Sequence, residues 1–192
     1  MSTNTKSLMI VGVGGQGSLL ASKLLGRLLV DEGYEVKVSE VHGMSQRGGS
    51  VVTYVKFGDA VYSPIVEEGE ADFIVSFETL EAARWAGHLK QGGRIVVNSQ
   101  QIDPMPVITG AATYPAGVLD TLREKGLSVD EIDALSGALE AGSSKAVNIV
   151  LLGHLAKYFG IDYDKWIAAI EKTVAAKFVD LNKKAFELGY NA

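Results

Sequence analysis

The feature that most restricts how this chain can fold is VGVGGQG at residues 11–17. It places Gly12, Gly14 and Gly17 in the spacing G-x-G-x-x-G, after the apolar run SLMIVGV (7–13) and before SLLASKLLGRLLVD (18–31). The first run reads as a buried strand, because apolar and β-branched residues follow one another until glycines end it. The second carries apolar residues at helical spacing, with charges only at Lys23, Arg27 and Asp31, as a helix packed on a sheet does. Gly33 is expected to stop that helix, and YEVKVSE (34–40) alternates like a strand. The chain thus opens strand–loop–helix–strand within roughly 35 residues, the size of one right-handed crossover unit. In that setting Gly12 is expected to permit a tight turn, Gly14 to let a phosphate approach the backbone, and Gly17 to bring helix and strand together. The amides of Gly15, Gln16, Gly17 and Ser18 would face an anion at the positive end of the helix dipole. Glycines that serve only tight packing give the same pattern, so the motif leaves both readings open.

The rest of the chain keeps alternating. VVTYVKF (51–57), ADFIVSF (71–77) and GGRIVVNS (92–99) read as strands, and ETLEAARWAGHL (78–89) as a helix. A further helix is expected near Gly117–Lys125, and LSVDEIDA (127–134) suits a last strand or a helix. KAVNIVLLGHLAKYFG (145–160) is apolar nearly all round, so it is expected at the centre of the packing. Gly160 ends it, and Asp162 or Asp164 is placed to cap DKWIAAIEKTV. The final helix, FVDLNKKAFEL, is expected to bury Phe178, Leu181, Ala185 and Leu188 on one stripe. With no Pro/Ser/Gly-rich linker and no repeat, residues 7–192 are expected to form a single α/β domain, with residues 1–6 as a disordered tail. Its architecture is a Rossmann-like, mostly parallel sheet flanked by helices, with a C-terminal helical extension.

Between two of those strands lies VHGMSQRGGS (41–50), longer, more polar and richer in glycine than a plain hairpin turn requires. In an open α/β sheet this loop and the glycine loop share the carboxyl edge, where ligands bind. His42, Ser45, Gln46, Arg47, Gly48 and Gly49 therefore join Gly12, Gly14, Gly15, Gln16 and Gly17 as candidate site residues. Arg47 is a permanent cationic fork suited to phosphate or carboxylate, and the two glycines let backbone approach a partner closely. For His42 a plain hydrogen-bonded loop role stands beside a catalytic one, and His88 and His154 are assigned no chemistry. Glu40 closes the second strand where a dinucleotide-binding fold would hold ribose hydroxyls. Ser143-Ser144-Lys145 is a cap plus a cation, read as a plain helix start, with an addition to an anion site as the alternative.

Several classes are excluded. The net charge of −5 argues against a nucleic-acid binder. There is no run of 18 apolar residues and no signal-peptide pattern, so no membrane span is expected and a cytoplasmic location follows. Cysteine is absent, which removes disulfides, thiolate nucleophiles and cysteine-ligated iron–sulfur clusters from this chain. No histidine pair has metal-ligand spacing, no G-x-S-x-G elbow occurs, and GGQGSLLA lacks the Lys-Ser/Thr ending of a P-loop.

The segments IVGVGGQGSLLASKLL, KVSEVHGMSQRGGSVVTYVKFG, EAGSSKAVNIVLLG and KFVDLNKKAFELG together resemble the small subunit of indolepyruvate:ferredoxin oxidoreductase, and more broadly the gamma subunits of the 2-oxoacid:ferredoxin oxidoreductases. The resemblance runs from Leu8 to Gly189. It implies oxidative decarboxylation of a 2-oxoacid, with transfer of the acyl group to coenzyme A and of electrons to ferredoxin. It further implies that thiamine diphosphate and [4Fe–4S] clusters sit on a large partner subunit. The absence of cysteine agrees, as does Gly58-Asp59-Ala60, which is not the GDG opening of a thiamine diphosphate motif. Carried over by motif, the resemblance places coenzyme A and the partner near Gly14–Gly17 and Ser45–Gly49. Gamma subunits acting on pyruvate, 2-oxoisovalerate or 2-oxoglutarate, a free-standing dinucleotide-binding module using Glu40, and a non-catalytic scaffold are the alternatives.

Overall fold

The computed structural model describes residues 5–40, 45 and 47–192. A six-stranded sheet has β1 (Lys6–Val13), β2 (Glu35–Glu40), β3 (Ser50–Gly58), β4 (Ala71–Ser76), β5 (Leu89–Asn98) and β6 (Ser128–Ile132) in the order β2-β3-β1-β4-β5-β6. The pairs β1–β4, β4–β5 and β5–β6 are parallel, while β3 is antiparallel to both its neighbours. Five strands therefore point the same way, which is the mostly parallel sheet expected. The opening unit differs in one respect. Strands β1 and β2 are not adjacent, because β3 returns from β2 as a hairpin and takes the place beside β1. Lys6 belongs to β1 rather than to the tail.

Helix α1 (Ser18–Asp31) has the bounds its periodicity predicts, and Gly33 follows it at φ +87°. Helices α2 (Thr79–Trp85), α3 (Met105–Ile108), α4 (Val118–Glu124), α5 (Ala134–Ala141), α6 (Val147–Phe159), α7 (Tyr163–Thr173) and α8 (Val179–Asn191) follow. Of the two readings open for 127–134 the strand is the one formed, as β6 over 128–132, and α5 begins at once after it in a segment whose sequence carries no helix expectation.

Strand side chains alternate between two cores. Leu8, Ile10, Val75 and Val96 face α1 and α6, while Met9, Val11, Ile74 and Val97 face the α2 and α4 side. Each such side chain, fully buried, contributes about 1.5–3 kcal/mol relative to exposure. Helix α6 is apolar all round because the sheet covers one side and α8 the other; eleven of its thirteen residues are buried. The α8 stripe is rotated from the one expected. Asn182, Ala185, Phe186 and Gly189 are buried, whereas Phe178 stands outside the helix and 47% exposed. The rotation follows from glycine: α8 presents Gly189 to α6 so that the two backbones meet, which periodicity in apolar side chains does not register.

His154, on α6, is buried, and the Asp130 carboxylate lies 3.8 Å from its Nε2. Arg94 bonds Asp130 at 2.7 Å and stacks on Tyr158, which in turn packs on the His154 ring. Burial, aided by Lys157 and opposed by Asp130, holds the His154 pKa below its usual value. The folded state thus binds this proton less readily than the unfolded chain, so stability is full above about pH 6.5 and declines as pH falls from there. His154→Leu is expected to flatten the loss of stability between pH 7 and pH 5, measured by urea denaturation at each pH.

Candidate functional site

The carboxyl ends of β1, β4 and β5 meet at one edge of the sheet, and β3 starts there. This edge is also where the helices change sides: α1 leaves β1 toward one face and α2 leaves β4 toward the other. Such a switch leaves a crevice that neither helix fills.

The glycine loop bridges it, with a division of labour that differs in detail from the expected one. Gly12 lies within β1, and a Cβ there would come 2.8 Å from Gln16 Oε1 and 2.9 Å from Phe77 Cβ, so it serves close approach. The turn is made by Gly15 and Gly17, at φ +101° and +91°. Gly17 adjoins Asn148 of α6, not the strand: Asn148 Nδ2 donates to the Gly17 carbonyl at 3.1 Å. The Gly14 amide donates to the Gly49 carbonyl at 2.9 Å, so it ties one candidate loop to the other. Gln16 is turned inward. Its Oε1 accepts from the Val13 amide at 2.7 Å, and its Nε2 donates to the Phe77 carbonyl at 3.2 Å. Buried Asn98 extends this brace, donating to the Phe77 carbonyl and accepting the Ala134 amide. The Gln16 amide, expected to face an anion, instead donates to the Val13 carbonyl at 3.3 Å and closes the turn, so the loop backbone is held without further reorganisation.

Among the described residues a Cβ on Gly15 would meet nothing within 4 Å, and the space there opens into a cleft of about 470 Å³. Its walls include Gly15, Gly17, Leu20, Leu135, Lys145 and Asn148. The cleft therefore joins the first turn of α1 to the Ser144–Lys145 turn before α6, more than a hundred residues apart in the chain. A smaller apolar cleft of about 270 Å³ adjoins it across Leu20 and Lys145, walled by Val174, Phe178 and Leu181.

On the other side of the glycine loop, Gly48, Gly49 and Ser50 line a third cleft of about 210 Å³ with Glu78, Glu81 and Arg84. Arg47 and Gly48 are exposed, and Gly48 adopts φ +91°. Ser45 is half-buried, and its carbonyl accepts the Gly49 amide at 2.9 Å. His42 and Gln46 lie outside the described residues. Glu78 is buried, caps α2, and accepts from the Ile102 amide and the Tyr114 hydroxyl. Burial, then the Glu78 carboxylate, push the Tyr114 pKa up to about 12, so its hydroxyl stays a donor throughout the physiological range.

Glu40 accepts from Ser22 at 2.8 Å and faces α1. With β3 between its strand and β1, the ribose-binding arrangement of a dinucleotide fold is not formed. Asn148, Gln100 and Leu135 went unremarked in the sequence. A single amide side chain in the apolar run VNIVLL was the one available signal for Asn148. Among the described residues no cluster of three or more metal-ligating side chains occurs, and no helix is long and apolar enough to cross a membrane.

Residues 7–192 match the family model described as pyruvate ferredoxin/flavodoxin oxidoreductase. Indolepyruvate oxidoreductase subunit IorB of Thermococcus kodakarensis is 44% identical over 97% of this chain and 95% of its own. The gamma subunit of a keto/oxoacid ferredoxin oxidoreductase from Geobacter sulfurreducens superposes with a TM-score of 0.72 at 22% identity, over 97% of this chain and 96% of that one. A 2-oxoglutarate:ferredoxin oxidoreductase from Magnetococcus marinus, with 2-oxoglutarate, coenzyme A and succinyl-CoA bound, gives 0.74 at 18% identity; all of this chain matches 31% of that one. A shared fold, a family model spanning all but the first residues and close full-length relatives agree: the chain belongs to the pyruvate ferredoxin/flavodoxin oxidoreductase family.

Proposed function

We propose that this chain is the small subunit of an indolepyruvate:ferredoxin oxidoreductase, acting as one unit over residues 7–192 in the cytoplasm. The observation that carries the reading is the 44% identity, over 97% of this chain, to the IorB subunit of Thermococcus kodakarensis. The partner is a large subunit holding thiamine diphosphate and [4Fe–4S] clusters. Cluster ligation needs thiolates, and this chain has no cysteine. When bound to that partner, thiamine diphosphate supplies the carbanion chemistry that releases CO2 from the 2-oxoacid.

The residues of this chain suit a supporting part of the reaction. Coenzyme A is a polyphosphate with an extended tail. The open backbone at Gly15, the α1 dipole and the Lys145 cation converge on one cleft that accepts such an anion. Arg47 is exposed two residues before Gly49, whose carbonyl holds the Gly14 amide, and in this reading it serves the contact with the catalytic subunit. A guanidinium oriented in a closed site binds a phosphate or carboxylate by a charge-assisted pair of hydrogen bonds. In the isolated subunit solvent screens it, and it contributes far less.

The test is co-expression with the large subunit and assay of coenzyme A-dependent ferredoxin reduction with indolepyruvate, pyruvate, 2-oxoisovalerate and 2-oxoglutarate. Indolepyruvate is expected to give the highest kcat/KM. Arg47→Ala is expected to lower kcat/KM by about tenfold to a hundredfold, the loss of one charge-assisted contact. Full activity without this chain overturns the subunit assignment, and full activity with Arg47→Ala overturns the role of the loop.

A further inference from the structure

We propose that Glu81 and Ser50 form a clamp that positions the Arg47 loop, which makes Glu81 a positioning residue for the reaction. The inference rests on the reading that Arg47 serves the shared active site. Its starting point is a departure from a local rule. When a helix begins with a side-chain cap and carries Glu at its third position, that Glu ordinarily reaches back to the cap residue's amide. Glu78 does its half of this exchange, accepting the Glu81 amide at 2.8 Å. Glu81 does not return it. One carboxylate oxygen takes the Ser50 hydroxyl at 2.5 Å, and the other takes the Arg84 guanidinium at 2.5 Å.

The Glu81 side chain is 2% exposed, and among the described residues its desolvation is offset by those bonds and by the α2 dipole. A glutamate serving the helix alone has no need of so buried a place. What the arrangement secures is Ser50, the first residue of β3, directly after Gly48–Gly49 and paired with Val13 in the ladder. One residue earlier, Gly49 is held by the glycine loop through its carbonyl and by Ser45 through its amide, both at 2.9 Å. Its fit is close: a Cβ on Gly49 would lie 2.9 Å from Ser45 Cα. Three residues after Arg47 the backbone is thus fixed to β1 on one side and to α2 on the other. A long exposed side chain is aimed by its backbone anchors, and misplacement of a positioning group by about 1 Å can cost a hundredfold in rate.

The experiment uses the reconstituted complex with the large subunit, read as kcat and KM for coenzyme A. Variants are Ser50→Ala, Ser50→Thr and Glu81→Gln, each alone and with Arg47→Ala. Ser50→Ala is expected to lower kcat/KM by about tenfold, with Ser50→Thr restoring it because the hydroxyl returns. In the Arg47→Ala background Ser50→Ala is expected to add nothing, since its effect passes through the arginine. Should Glu81→Gln fail to fold, the Ser50→Ala and Ser50→Thr pair carries the same comparison. Equal losses from Ser50→Ala with and without Arg47, or activity unchanged by Ser50→Ala while Arg47→Ala is impaired, overturn the clamp alone. No loss from Arg47→Ala overturns the parent reading of the loop, and the clamp with it.

Discussion

Gly189→Ala is expected to lower the unfolding free energy by about 3 kcal/mol or more, despite placing a better helix former in a helix. Two opposing effects decide the sign. Replacing glycine by alanine in a helix interior contributes about 1 kcal/mol of stability. Against it, a Cβ on Gly189 would lie 1.9 Å from the Val150 carbonyl oxygen and 2.7 Å from its carbon, both backbone atoms that no rotamer change can move. Helices α6 and α8 must separate, and α6 is packed on the sheet behind it. Gly153 meets α8 from the other side, its Cβ position 2.2 Å from the Phe186 carbonyl oxygen, so Gly153→Ala is expected to act in the same direction. The two share one crossing and are not expected to add. Gly69→Ala is the control: φ is +73° but nothing lies near its Cβ, so the cost is limited to backbone strain of about 1 kcal/mol. Chemical denaturation with unchanged m-values checks all three. A domain whose whole stability is about 5–15 kcal/mol would be left marginal by Gly189→Ala, and a Gly189→Val chain is expected not to accumulate folded.

Lys145→Glu is expected to raise the KM for coenzyme A by about a hundredfold in the reconstituted enzyme while leaving thermal stability nearly unchanged. The side chain is exposed at the mouth of the large cleft, and its removal empties no core space. A charge-assisted contact with a phosphate amounts to about 1.5–3 kcal/mol, and reversal replaces attraction by repulsion next to the first turn of α1. The same substitution at Lys90, far from this edge at the start of β5 and paired with Asp72, supplies the comparison. Raised ionic strength is expected to shrink the Lys145 effect, because exposed charges are screened. A KM unaltered by Lys145→Glu would place the coenzyme elsewhere, without touching the family assignment.

Local chemistry explains how much was readable beforehand. The bounds of α1, the buried character of α6 and the placing of both candidate loops at one sheet edge follow from periodicity, glycine spacing and the run of strands, all of which are written in neighbouring residues. The family was legible too, since GGQG, S-x-R-G-G and the C-terminal segments are contiguous strings. The rotation of α8 was not, because its cause is the close approach of two backbones, at Gly153 against Phe186 and at Gly189 against Val150, and glycine has no side chain to signal a face. The insertion of β3 between β1 and β2 was likewise hidden: strand order depends on which edges pair, and each strand alone reads the same in either place.

The sequence by itself determined that this is an α/β chain with a glycine-loop strand–helix unit, without cysteine and hence without its own thiolate-bound cluster. Those are matters of covalent composition and of side-chain period. Only the tertiary structure decided what the loops do to one another. It joined Gly14 to Gly49, set Asn148 under Gly17, turned Gln16 inward, brought Lys145 to the same cleft and hung Ser50 on Glu81. Each of these contacts pairs groups far apart in the chain, and the geometry that makes them exists only once the sheet has brought its carboxyl ends into line.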